Sequence, residues 1–380
     1  MPGCNTTAAF AGTTPPCYNA AARSTTDTSM TSGISGNTRT ALSGALLLVS
    51  LLLLGPIGEA NGWEWVPSEE AIEKYRHSWN PLSHGPMLIS SPDLQPKGQW
   101  YIRPLIFAQI GESSFGNQFR PATDSTRGPL HIYSVQSPFL QSAYGLTDHV
   151  ELVGQTSLGG FWARQTGTVD NDFGLGDTSL ILKYRPVVQD PESWVPSINW
   201  FNQVSLPTGK WAGTDKTPGG FSPIGRFPAT RSGEISVTSG LAFRKNLQPY
   251  RWSGGVYYTH STPGLKTATG EASYFGDLIN TRLIFEHILD DTHGFGYNLE
   301  FVTLHGITHR LDGHRINSGQ KSGFSLVGVE PSVQYRIGDT NFLVAGGVLL
   351  TLAGQNATNS IYPNFSIFYY WSESGKVQMR

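Results

Sequence analysis

The chain has 380 residues, of which only 14% are charged and 12% aromatic, with 44 glycines and a formal net charge of −2. So few charges argue against a string of soluble domains, where about a quarter is usual, and a mean hydropathy of −0.22 is too polar for a bundle of membrane helices. The near-neutral balance leaves no electrostatic footprint for nucleic acid or an anionic membrane surface.

Residues 2–29 are Thr/Ser-rich and of low complexity, with no core of their own. The one long apolar run, 41–54, has the length of a signal-peptide h-region and falls short of the roughly 20 residues of a spanning helix. Arg39 precedes it, and Gly58, Glu59 and Ala60 offer a cleavage point after Ala60. Residues 1–60 therefore read as leader and signal peptide, with Met30 as an alternative translation start and an uncleaved anchor as the alternative fate. Both cysteines, Cys4 and Cys17, lie in that leader, so the exported chain has no disulfide, thiolate or cysteine-metal chemistry.

Residues 61–96 read as an N-terminal periplasmic or plug-like segment. Within it, 65–79 predicts a short helix with Ser68 as N-cap and Glu69 and Glu70 in its first turn; a Pro/Gly-rich link, 81–96, follows. From 97 to 371 the pattern is strand throughout. Twelve segments are expected: 97–110, 132–145, 148–161, 175–188, 195–207, 233–246, 249–262, 274–289, 293–306, 323–337, 340–353 and 361–371. Short connections (145–147, 189–194, 247–248, 290–292, 338–339) alternate with long ones (112–131, 162–174, 208–232, 263–273, 307–322, 354–360). That alternation over an even strand count is the pattern of an outer-membrane barrel. Residues 372–380 form a C-terminal tail.

The stretch FGLGDTSLILKYRPV, residues 173–187, shows what the wall does. Successive side chains of a strand point to opposite faces. Leu180, Leu182 and Tyr184 therefore share an apolar face, while Ser179, Ile181, Lys183 and Arg185 share the other. Because a bilayer leaves no backbone hydrogen bond unpaired, such strands must close on themselves, and the polar face becomes a lumen. Trp100, Tyr144, Tyr184, Trp200, Trp252, Tyr335 and Trp371 at strand ends suit an aromatic girdle. Pro104, Pro138, Pro331 and Pro363 predict bulges or register breaks, since proline removes a ladder donor.

SAYGLTDHVEL (142–152), FGLGDTSLILKYR (173–185), VSLPTGK (204–210) and YPNFSIFYYW (362–371) resemble the outer-membrane family named for the MetA pathway of phenol degradation. The resemblance covers roughly 97–371. It implies a transporter-like β-barrel of the envelope, with no catalytic residue to carry over and a bias toward aromatic or apolar solutes. Residues after Trp371 depart from the terminal aromatic with which many outer-membrane barrels end.

Other motifs carry less. GLGD at 174–177 precedes a strand, not the helix a phosphate loop needs, and PTGK at 207–210 lacks the earlier glycine of a nucleotide-binding loop. His305, His309, Asp312 and His314 in one outer connection offer divalent-metal ligands but match no standard spacing, and Asp170 with Asp172 could bind a cation that bridges lipopolysaccharide. Ser261 beside His260 is the nearest approach to a nucleophile and base, but neighbours in a strand face opposite ways. No enzyme activity, cofactor or metal is expected. Alternation sends Arg103, Lys183, Arg185, Arg244, Arg282 and Arg336 into the lumen. It sends Glu151, Glu234, Glu286, Glu300 and Glu330 there as well, with Arg282 flanked by Glu300 and Glu330 in one layer. These charges either select solutes in a narrow pore or brace the lumen by pairing with one another. The expected function is passive passage of small molecules across the outer membrane, the alternative a non-conducting structural or adhesion barrel acting through its loops. The expected partners are outer-membrane lipid, a small-molecule solute and the barrel-assembly machinery during biogenesis, and not nucleic acid.

Overall fold

The computed structural model describes residues 66–81, 85, 87, 91–125, 131–165, 168–208, 235–262, 273–274, 277–306, 310–311, 314–315, 323–374 and 377. Residues 1–65 (expected to hold the leader), the 208–232 connection beyond Thr208 and most of the C-terminal tail lie outside these residues. No helix among them is long and apolar enough to cross a membrane.

One short helix, α1 (Glu69–His77), precedes the strands. Ser68 caps it by accepting the Ala71 N–H at 3.2 Å, and two acidic residues in the first turn face three basic ones in the last, as the helix dipole favours. Ile72 and Tyr75 form its buried side, against Val188.

Twelve strands then form the wall: β1 (Gln99–Arg103 and Leu105–Ser114), β2 (His131–Gly145), β3 (Val150–Gln165), β4 (Thr168–Leu175 and Thr178–Val187), β5 (Ser197–Leu206), β6 (Ser236–Leu247), β7 (Tyr250–Ser261), β8 (Leu278–Asp290), β9 (Phe295–Gly306), β10 (Phe324–Arg336), β11 (Phe342–Gln355) and β12 (Thr358–Ser372). Each pairs antiparallel with the next, and β12 returns to β1. The sheet is closed and has no edge, which is the condition for strands in a bilayer. The turn end of the barrel carries the short connections and both ends of the wall; the loop end carries the others.

Two expected outer loops are shorter than the sequence suggested. Strands β3 and β4 pair on from Leu158↔Leu175 to Gln165↔Thr168, so 162–174 is mostly hairpin. The 354–360 connection is a tight turn at Asn356 and Ala357, in which Asn356 takes a φ of 48°, a left-handed conformation that asparagine tolerates. The strict short–long alternation therefore fails at both places, because paired backbone extends beyond the apolar alternation that marks the bilayer. Outside the wall, Ser273–Tyr274, Arg310–Leu311 and His314–Arg315 pair as a small three-stranded sheet.

The prolines divide. Pro104 breaks β1 in two, and the β2–β3 register shifts between Ser137 and Leu140, around Pro138. Pro331 and Pro363 instead sit in unshifted pairings, opposite Leu299 and Val348.

Strand β10 shows the two faces. Leu326, Gly328, Glu330, Ser332 and Gln334 are buried, while Pro331, Val333 and Tyr335 are exposed. The outward face at the turn end is ringed by aromatics: Trp100 lies 4.3 Å from Tyr144 and 5.8 Å from Trp371, Trp252 lies 4.9 Å from Phe285, and Phe342 lies 4.7 Å from Tyr369, centroid to centroid.

Candidate functional site

The inner face carries both kinds of side chain at both ends: Tyr101, Leu343, Phe368 and Tyr370 are buried at the turn end beside the charged residues, and Gln109, Ser179, Ser205 and Ser360 are buried at the loop end. Toward the loop end, Phe107, Val302, Leu304, Leu326, Leu349 and Tyr362 belong to one buried cluster. They share their strand faces with charged or amide residues nearer the turn end: Val302 with Glu300, Leu326 with Glu330, Tyr362 with Asn364.

The chain between α1 and β1 lies against this wall. Its Met87, Asp93 and Leu94 are almost wholly buried. Asp93 is the centre of the contact, accepting from Arg185 Nη1 at 3.0 Å, Arg244 Nη1 at 3.1 Å and the Tyr75 hydroxyl at 2.8 Å. Arg185 also covers the Tyr75 ring at 5.4 Å. Around this clasp, wall side chains donate to main-chain carbonyls of the segment. Lys183 reaches Ser91 O at 3.0 Å, Arg251 reaches Pro81 O at 3.1 Å, Asn298 reaches Gly85 O at 3.2 Å and Arg103 reaches Met87 O at 2.5 Å. In return the Gln95 N–H donates to Glu151 Oε2 at 2.6 Å. Gly85 is required where it stands: its φ is 84°, and a β-carbon there would lie 2.2 Å from Arg244 Nη2.

Three further ion pairs lie along the wall. Lys183 meets Glu151 at 2.6 Å, Arg251 meets Glu286 at 3.2 Å and Arg282 meets Glu300 at 2.8 Å. Buried charges need such partners, since the cost of leaving water is several kcal/mol per ion. Glu330 lies directly across from Glu300 in the β9–β10 ladder and accepts from Asn364 Nδ2 at 2.8 Å. The expected order, with Arg282 between the two carboxylates, is thus corrected: Glu300 stands between Arg282 and Glu330, because β9 lies between β8 and β10.

Of the side chains assigned to the lumen from sequence, Arg103, Glu151, Lys183, Arg185, Arg244, Arg282, Glu286, Glu300 and Glu330 are buried on the inner face. Glu234 lies outside the described residues. Arg336 pairs with Leu343 at the turn end of β10. It falls at the strand end, where Nε donates to Thr340 O at 2.7 Å and Nη2 to Asp339 O at 3.3 Å, so it closes a turn. Two residues were missed. Arg251 obeys the same alternation as Ser253 and was open to the same argument. Asp93 sits in no periodic element, and its signal was different: it is the one charged residue in 81–96.

At the turn end α1 is tied to the wall by ions. Lys74 pairs with Asp190 and Glu192, each at 3.0 Å, and Arg76 pairs with Asp148. The Glu192 N–H, and then Lys74, hold the Asp190 carboxyl below its ordinary range.

Other candidates come apart. His260 points outward to Asp277 at 2.8 Å while Ser261 is buried inside, so they form no catalytic pair. His305 bonds Ser325 at 3.0 Å, and His309 and Asp312 lie outside the described residues. Among the described residues, no group of three His, Cys, Asp or Glu is placed to hold a metal.

No protein-family model matches the chain, and no curated protein matches its sequence. Among solved structures, an outer-membrane channel from Pseudomonas putida aligns over 77% of this chain and 100% of its own at 12% identity, with a TM-score of 0.60. The fold is that of an outer-membrane β-barrel. Weaker likenesses reach the transport unit of the autotransporter AIDA-I from Escherichia coli (TM-score 0.40, 11% identity, 72% of this chain and 90% of that one) and the NanC porin (TM-score 0.37, 8% identity, 70% and 98%).

Proposed function

We propose that this barrel is a gated outer-membrane channel for small molecules, closed in the conformation described by the segment inside it. One observation carries the reading. Among the described residues between α1 and β1, Met87, Asp93 and Gln95 are buried and bonded to inward side chains of the wall, so wall side chains alone do not fill the turn end. A barrel serving only as a scaffold fills its interior from its own strands, as small barrels do. Here the filling is separable. It is held by the Asp93 clasp, by donors to main-chain carbonyls, by bonds to the Asn80 and Gln95 side chains and by Met87 packed with Tyr101 and Phe368, contacts that can break without unpairing any strand.

The apolar cluster of the loop-end half supports solutes with an apolar or aromatic body, in line with the resemblance to the MetA-pathway family. The chain acts without covalent chemistry, cofactor or metal, and its partners are the lipid around the wall, the solute within it and the assembly machinery that inserts it. Single-channel recording in planar bilayers tests this. The exported chain should give rare, brief openings, and Asp93→Ala should make them long and frequent. Silence from both would refute the channel and favour a structural or adhesion barrel acting through its loops.

A further inference from the structure

One buried carboxylate is left over when the clasp and the wall pairs are accounted for. Glu330 is fully buried and makes no ion pair with any described residue; of the guanidiniums whose charge reaches it, Arg282 is paired with Glu300 and Arg103 donates to Met87 O. Gly347 of β11 explains where Glu330 lies. A β-carbon at 347 would come 2.7 Å from Glu330 Oε1, so the carboxylate crosses over bare backbone from β10 and takes the Asn364 Nδ2 of β12 at 2.8 Å. Glu330 Oε2 and Asn364 Oδ1 then remain buried with no donor. Asn298 Oδ1 is a third such atom, in the same cross-strand row through Ser332, Gly347 and Asn364.

All three orphaned atoms are acceptors, and one belongs to a carboxylate. Such groups in a dry site cost free energy until a donor arrives. Toward the loop end the same faces carry hydrocarbon: Leu326, Leu349 and Tyr362 are each almost wholly buried. Acceptors on one side and apolar side chains on the other exclude an anion. They match a cation with hydrogen-bond donors at one end and an apolar body at the other.

We propose that this place, where Glu330 and Asn364 meet over Gly347, is a binding site for a small aryl- or alkylammonium ion. Its N–H groups donate to Glu330 Oε2 and Asn364 Oδ1, and its body lies among Leu326, Leu349 and Tyr362. The proposal rests on the channel reading and names the solute class that reading leaves open.

Calorimetric titration of the full exported chain in detergent micelles tests it, with benzylammonium, neutral benzyl alcohol and potassium chloride as probes at neutral pH. A hydrogen bond to a charged group contributes enough for about a tenfold or larger preference. Benzylammonium should therefore bind at least that much tighter than benzyl alcohol. Glu330→Gln, which keeps the shape, should erase the preference. Gly347→Ala, which displaces the carboxylate but keeps its charge, should weaken binding by a similar factor and stands in if Glu330→Gln does not fold. Equal binding of amine and alcohol, no binding of either, or unchanged binding in both variants overturns the proposal. So does displacement of the amine by excess potassium, which would make this an alkali-ion site. A vesicle permeation assay separates the two readings. Passage of small solutes without an amine preference removes only this site, and amine binding without passage removes only the channel.

Discussion

Replacing Asp93 by Ala tests whether the inner segment is a gate, and its size follows from the contacts. The carboxylate faces Arg185 and Arg244, both almost wholly buried, and the Tyr75 hydroxyl. Removing one partner of a buried ion pair costs about 3–5 kcal/mol, most of it from the charge left without compensation. Here two guanidiniums are left facing each other's field. At about 1.4 kcal/mol per factor of ten, the docking equilibrium constant should fall by about two to four orders of magnitude. Thiol labelling measures this directly. The exported chain has no cysteine after residue 17, so Ser91→Cys introduces a single thiol at a buried position whose hydroxyl accepts the Asp93 N–H at 3.1 Å. With Asp93 present, a charged maleimide should label Cys slowly; with Asp93→Ala, labelling should speed up by about 100-fold or more. Asp93→Asn keeps an acceptor and should fall between the two. A labelling rate that does not change on losing Asp93 would show that the main-chain contacts hold the segment by themselves, and the gate would lose its latch.

Leu241→Arg, on the lipid face at the middle of β6, should cost about 2–4 kcal/mol of barrel stability, read as a shift in urea titrations of folding into vesicles; no shift would place that face in the lumen. Lys183→Met strands the buried Glu151 carboxylate and should cost about 3–5 kcal/mol, whereas adding Glu151→Met should recover much of it; an additive double variant would deny the pairing. An epitope placed in 214–219 should be labelled on intact cells, while one between Asp339 and Thr340, in the β10–β11 turn, should need the outer membrane opened first. Surface labelling of the second epitope would invert the barrel.

The wall was legible because alternation is a local property. Lys183 and Arg185 among Leu180, Leu182 and Tyr184 declared two faces without any knowledge of neighbours, and the structure keeps those faces. Register was not local. The order Arg282–Glu300–Glu330 depends on which strand lies between which, and Glu330 reaches Asn364 only because residue 347, on another strand, has no side chain. The outer ends were misjudged for a related reason. Apolar alternation reports the bilayer, and the β3–β4 hairpin runs on past it as paired backbone with a polar sequence such as TVDNDF. Pro331 and Pro363 read as breaks because proline lacks an N–H, yet both stand in unshifted pairings, where that loss needed no change of register.

The inner segment was the least legible part, and the contacts say why. Four of the wall groups that hold it (Lys183, Arg251, Asn298 and Arg103) bond to carbonyl oxygens of residues 91, 81, 85 and 87. A carbonyl is the same whatever side chain its residue bears, so these contacts constrain the path of the chain and leave almost no mark on its sequence. For the wall the segment acts as a fixed solvent: it supplies oxygen dipoles to cations that water would otherwise serve in an open lumen. On the gated-channel reading, that substitution is what lets one barrel bury Arg103, Lys183, Arg185, Arg244 and Arg251 when closed and wet them when open. Two positions had to be written into the sequence: Gly85, for its φ of 84°, and Asp93, the contact that carries net charge and the single charge in 81–96.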